Sequence, residues 1–145
     1  MSLSDLIKGL KEFERNLDSY IVEVLHKNDS IIVEMNSEEQ LFEKGITREG
    51  TSIDSYAPYS PITIEIKKDK GQPTNRVTLR DEGDFEDSFF VDIKEHSFEI
   101  KASDWKSGNL QAYYGDEILG LTDENLIDLA RNYVLPYLLE KLKKI

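Results

Sequence analysis

"FFVDIKEHSFEIKAS" (residues 89–103) is the stretch on which the fold class turns. Two runs, "FFVDIKE" and "SFEIKAS", meet at Glu95-His96-Ser97 and carry apolar residues at alternating positions: Phe90 or Val91, then Ile93, Phe98 and Ile100. A period of two is that of a half-buried pleated strand, and a short polar break between two such runs is a hairpin turn. The spacing predicts an antiparallel hairpin near 89–102.

Both ends of the chain have the other period. Leu6, Leu10, Phe13, Leu17, Ile21 and Val24 recur at helical spacing, which predicts a helix over 4–26 capped by Ser4, with Asp5 in its first turn. Leu126, Leu129, Ala130, Tyr133, Val134, Tyr137 and Leu138 predict a second long helix over 123–144, capped by Thr122 and kinked at Pro136. The order is long helix, mixed middle over 31–105, hairpin, long helix. It reads as one α+β domain spanning 1–145, a small antiparallel sheet packed by the N- and C-terminal helices.

The middle is less regular. "NDS" (28–30) looks like the end of the first helix, and "IIVEM" (31–35) fits either a short strand or a buried turn of helix. Ser37 and Gln40 have capping-box spacing for a short helix that Gly45 would stop. Residues 46–53 suggest a turn or hairpin around Gly50. In 60–70, Ile62, Ile64 and Ile66 alternate as in a strand, but Ser60-Pro61 suits a helix start and the lysines before Gly71 suit a helix end, so a short helix is preferred. Residues 71–76 read as loop, 77–79 as a short extended piece, and Trp105 as an anchor at the edge of the core.

The chain has 145 residues, 39% of them hydrophobic, no cysteine and a net charge of −11. This excludes disulfides and thiolate metal sites, and an acidic surface disfavours nucleic acid and anionic membranes. No apolar run approaches the ~20 residues of a membrane span, and the N-terminus lacks the pattern of a secretory signal. The charge is uneven. Residues 67–80 carry five basic side chains and one acid, between flanks of net −7 and −8. Lys67, Lys68, Lys70, Arg76 and Arg80, with Tyr56 and Tyr59 nearby, form a candidate interaction arm. Its acidic flanks favour a protein partner over a specific nucleic acid. Folding back onto the chain's own acids is the plain alternative.

No constellation demands chemistry. Asp81, Glu82, Asp84, Glu86 and Asp87 could ligate a hard cation, but EF-hand spacing is absent, and acids at the start of a helical turn explain them. His26 and His96 sit at a helix end and in the hairpin turn, with no nucleophile elbow or phosphate-binding loop elsewhere. The expectation is no catalytic residue, no metal site and no cofactor.

More specific is a combination of segments. A Ser-Pro-x-Thr piece followed by lysines leads through "KGQPTNRVTL" (70–79) to a Leu-x-x-x-Gly-x-x-x-x-Ser corner at Leu79, Gly83, Phe85 and Ser88. "QLFEKGI" (40–46) precedes it and "GLTDEN" (120–125) opens the last helix. Over roughly 38–140 the chain resembles the small virion-morphogenesis proteins of tailed bacteriophages and prophages, the tail-completion and head–tail joining proteins, particularly a branch from Bacteroidetes phages. Glu82 stands where those proteins have a capping threonine, a task that would pass to Asp81 or Asp84. The corner itself reads as a bend eased by Gly83, with Phe85 and Phe89 or Phe90 in the core and the acids in water. The resemblance implies a structural, non-enzymatic protein made in the bacterial cytoplasm and carried in the virion. Its partners would be portal, connector or tail-tube components, with copies of the chain forming a homo-oligomer or ring. The other reading is an acidic phage-encoded binding protein that captures a basic host protein or mimics DNA charge.

Overall fold

A computed structural model describes residues 1–81, 83–104 and 107–145; Glu82 and Trp105, each given a role above, lie outside them. The chain is α+β. Helices α1 (Leu3–Arg15), α2 (Leu17–Lys27) and α3 (Asp29–Glu34) follow one another and run into a π-helical segment, Met35–Lys44. The expected long N-terminal helix is therefore present, but stepped and longer. Asn16 and Asn28, at φ −96° and −116°, are the steps. Asn28 bends the helix without ending it, because its side chain donates to Val24 O and the backbone resumes at once. Ile31–Met35 are helical; burial of Ile32 and Met35 decides what local propensity leaves open. Ser2, not Ser4, caps α1, in a reciprocal capping box with Asp5.

A second correction concerns Ser37 and Gln40. They do not begin a new helix: Ser37 Oγ donates back to Val33 O, and the chain is already helical there. The π-helical segment stops at Gly45 as expected, at φ +63°. A tight turn about Gly50 closes on a single bridge between Ile46 and Ser52. Ser60 caps α4 (Pro61–Asp69) through Thr63 N, so the alternating isoleucines lie on a helix. No strand forms at 77–79. Leu79 there takes φ +60°, the left-handed region.

The one-turn α5 (Asp84–Asp87) leads into β1 (Phe89–Ile93), which pairs antiparallel with β2 (Phe98–Ala102), Val91 opposite Ile100. The hairpin lies where the alternation put it. Helix α6 (Ser107–Tyr114) follows the hairpin. The last helical run is α7 (Asp123–Leu129), a π-turn (Ala130–Val134) and α8 (Leu135–Lys143), started by Thr122 accepting from Asn125 N. Pro136 sits in the first turn of α8 just after the π-turn, where the register change takes up the disruption a proline causes in a regular helix. One cluster of buried side chains, including Ile32, Leu41, Ile53, Val77, Phe85, Ile100, Ile118 and Leu129, joins these elements.

Candidate functional site

The three segments that carried the resemblance meet in space. Asn36 and Gln40, one turn apart on the π-helical segment and both buried, reach the chain before α7. Asn36 Nδ2 donates to Ile118 O at 3.0 Å, and its Oδ1 accepts from Gly120 N at 2.9 Å. Gln40 Nε2 donates to Gly120 O at 2.8 Å; its Oε1 accepts from Thr122 N at 2.9 Å and Asn125 Nδ2 at 2.8 Å. Two side-chain amides thus do for 118–125 what a neighbouring strand would do, satisfying backbone groups that would otherwise be buried unpaired. From the other side, Arg76 Nε donates to Phe42 O at 2.7 Å, and a Cβ at Gly45 would come within 2.8 Å of Val77 O. Sequence reasoning missed Asn36 altogether and read Gln40 as a cap. The available signal was two uncharged amides at i and i+4 beside Met35 and Leu41.

The basic segment is not a projecting arm. Lys67 is buried, with Nζ donating to Arg80 O at 3.0 Å and lying 4.9 Å from the Tyr59 ring centre. Lys70 pairs with Asp81 at 2.7 Å, which holds that carboxylate below its ordinary pKa. Arg76 and Arg80 both lie over the Phe42 ring, Arg80 at 4.0 Å. Arg80 also bridges Glu38, at 2.8 Å, and Glu86. Tyr59 OH accepts from Thr78 N, and Tyr56 OH donates to Tyr114 O. Lys68 is exposed. The charges fold back because backbone carbonyls, an aromatic face and nearby acids supply partners within the domain.

At the corner, Gly83 has φ +91° as expected and Phe85 is buried, edge-on to Phe89 with ring centres 5.0 Å apart. Phe90 faces outward, 45% exposed. Ser88 Oγ donates to Phe85 O at 2.7 Å, tying off α5. Neither Asp81 nor Asp84 caps that turn; Gly83 stands at the cap position without a side-chain bond. The expectation that the acids face water fails at Glu86, which is buried and held by Arg80 through Nε at 2.7 Å. Burial pushes its carboxyl up to about 7 against the pull of Arg80, with Glu38 and Asp87 adding to the rise. Its Oε1 accepts no hydrogen bond from the described residues.

His26 and His96 are both exposed. His96 lies 3.8 Å from Asp18 and 3.8 Å from Glu95, an open trio on the surface. Two surface features remain. Helix α1 contains no buried residue and leaves Leu3, Ile7 and Leu10 exposed; α8, packed beside it, leaves Leu135, Leu139 and Leu142 exposed. A groove of about 1080 Å³ also opens along β2, between it and α2, α7 and the π-turn that follows α7. Among the described residues no helix is long and apolar enough to cross a membrane.

Comparison of the chain with family models, with curated proteins and with solved structures finds no match.

Proposed function

We propose that the chain is a structural subunit of a tailed-phage or prophage virion, acting in tail completion or head–tail joining. The virion assignment rests on the motif resemblance over 38–140. The observation that carries an assembly role is the paired apolar face of α1 and α8. Leu3 is 73% exposed, Ile7 45%, Leu135 49% and Leu139 44%, at helical spacing on two helices packed together. Exposed apolar side chains gathered on two packed helices are the kind of feature that interaction sites use. The occupant of this face in this reading is another copy of the chain or an adjoining portal, connector or tail-tube protein. Assembly would take place in the bacterial cytoplasm and leave the chain in the particle. The corner and the amide clamp are its scaffold.

Electron micrographs of a phage or prophage lacking this chain test the reading. Separate heads and tails are expected. Supplying the wild-type chain should join them, and a folded Ile7→Glu, Leu139→Glu variant should not. Normal tailed particles without the chain would remove the virion role.

The acidic-capture reading keeps one specific support. The net charge is −11, and with Lys67, Lys70 and Arg80 bound internally the basic segment presents little positive surface of its own. A monomer at all concentrations that binds a basic protein and releases it with salt would favour that reading.

A further inference from the structure

Among the described residues, one edge of the hairpin has no backbone partner. Lys94 N donates to Ser97 O, and Ser103 N donates to Ser88 O. In an antiparallel pair, hydrogen-bonded and non-hydrogen-bonded positions alternate. With Val91 opposite Ile100, those two bonds assign Asp92–Glu99 and Phe90–Lys101 as bonded pairs. Phe98, Ile100 and Ala102 therefore turn their N–H and C=O groups away from β1. Helices α2 and α3 lie against β1, whereas β2 packs chiefly on β1 and forms one whole side of the groove.

The side chains of Phe98, Ile100 and Ala102 lie on the core face, and Ile21, Leu25, Leu129 and Val134 line the groove opposite them. A strand added beside β2 would form its hydrogen bonds opposite these three residues. Its own side chains at those positions would then point onto that apolar lining, and the ones between would face solvent near Glu99 and Lys101. β2 spans roughly 17 Å at about 3.4 Å per residue, enough for five paired residues. At the turn end stand Asp18 and Glu95, with the His96 imidazole 3.8 Å from each. Lys94 and Lys101 are already paired, with Glu99 at 3.0 Å and Asp92 at 2.7 Å.

We propose that this groove binds an extended segment of another polypeptide by adding it as a strand to β2. The segment is apolar at alternate positions and carries a lysine or arginine where it meets Asp18 and Glu95. Main-chain hydrogen bonds supply affinity, and the alternation and charge supply specificity, as in other strand-addition sites. The inference does not depend on the virion reading.

Fluorescein-labelled peptides Lys-Val-Thr-Val-Thr-Val and Val-Thr-Val-Thr-Val-Lys test it by anisotropy, with amide chemical shifts of the chain as the second readout. One of the two should bind saturably and shift the amides of Phe98, Ile100 and Ala102. N-methylation of the peptide's valines should weaken binding by about tenfold or more, as should Ala102→Pro, which removes an outward N–H and spares the ladder to β1. Asp18→Lys with Glu95→Lys should weaken the lysine-bearing peptide and leave an alanine-for-lysine peptide unchanged. Equal binding by the N-methylated peptide would overturn strand addition even if Ala102→Pro failed to fold. So would no shift of the three amides at millimolar peptide. Concentration-dependent shifts of those amides in the chain alone would overturn the proposed occupant and assign the edge to a second copy.

Discussion

Gln40 and Asn125 lie 85 positions apart in the chain, and Gln40 Oε1 accepts a hydrogen bond from Asn125 Nδ2 at 2.8 Å in the buried interior. The same oxygen takes Thr122 N, so one side chain fixes both the cap residue and the first turn of α7. Gln40→Ala removes the partner of two donors and of Gly120 O together. The expected loss is about 2–4 kcal/mol, since each buried group left unpaired costs ~1–3 kcal/mol. Urea unfolding measures it. Gln40→Ala combined with Asn125→Ala should cost less than the two singles added, and strict additivity would show the contact to be idle.

Two glycines with positive φ should respond unequally. At Gly83, φ +91°, an added Cβ meets nothing closer than 3.4 Å, so Gly83→Ala carries only the backbone penalty, about 1 kcal/mol. At Gly45, φ +63°, the same Cβ would lie 2.8 Å from Val77 O, a backbone atom that cannot swing aside. Gly45→Ala should therefore be the more destabilising of the two by at least about 1 kcal/mol. Thermal melts of the two variants decide it, and the reverse order would contradict the packing described around Val77.

Elements governed by periodicity or by a cap were legible in the sequence. The hairpin was read from its alternation, α4 from Ser60-Pro61, and the last helix from Thr122. The bend at Gly83 was read because few residues other than glycine tolerate φ near +90°. What the sequence did not disclose depends on distant partners. Asn28 looks like a helix stop until Val24 O is seen to satisfy its side chain. Gln40 is a cap by spacing and a clamp by its contact with a segment about 80 residues on. Lys67 and Arg80 look like a solvated cationic run, because nothing local shows that Tyr59, Phe42 and Glu86 will lie beneath them. Leu79 at φ +60° breaks a local preference that only the tertiary structure can impose.

Stability should carry the signature of Glu86. Its carboxyl is raised from 4.5 to about 7 by burial, so the folded chain binds this proton more tightly than the unfolded chain does. The group's contribution is full below about pH 4.5 and is lost as pH rises through about 7. Glu86→Gln, which cannot ionise, should gain on wild type in melting temperature between pH 5 and pH 8. A difference in melting temperature that stays constant over that range would mean that Arg80 compensates the carboxylate fully.

Replacing His26 and His96 together with Gln should change stability by less than about 0.5 kcal/mol, as expected of exposed side chains without buried partners. Chemical denaturation at pH 7.5 measures this. A larger loss would give the Asp18–Glu95–His96 trio a structural weight that its exposure argues against.

Helix α8 packs against both α1 and α2, with Gly9 of α1 meeting Ile145 just past α8 and Lys141 lying over the Tyr20 ring of α2, while neither α1 nor α8 places a fully buried side chain in the core. The two ends of the chain thus meet outside the main packed cluster. Such a pair opens as a unit at a free energy well below that of global unfolding. Backbone amides of both helices should exchange with solvent deuterium together and early, long before those of Ile32 or Leu41. A binding partner that covers the exposed leucines would slow that exchange at the two termini in concert, linking residues from opposite ends of the sequence in one protection event.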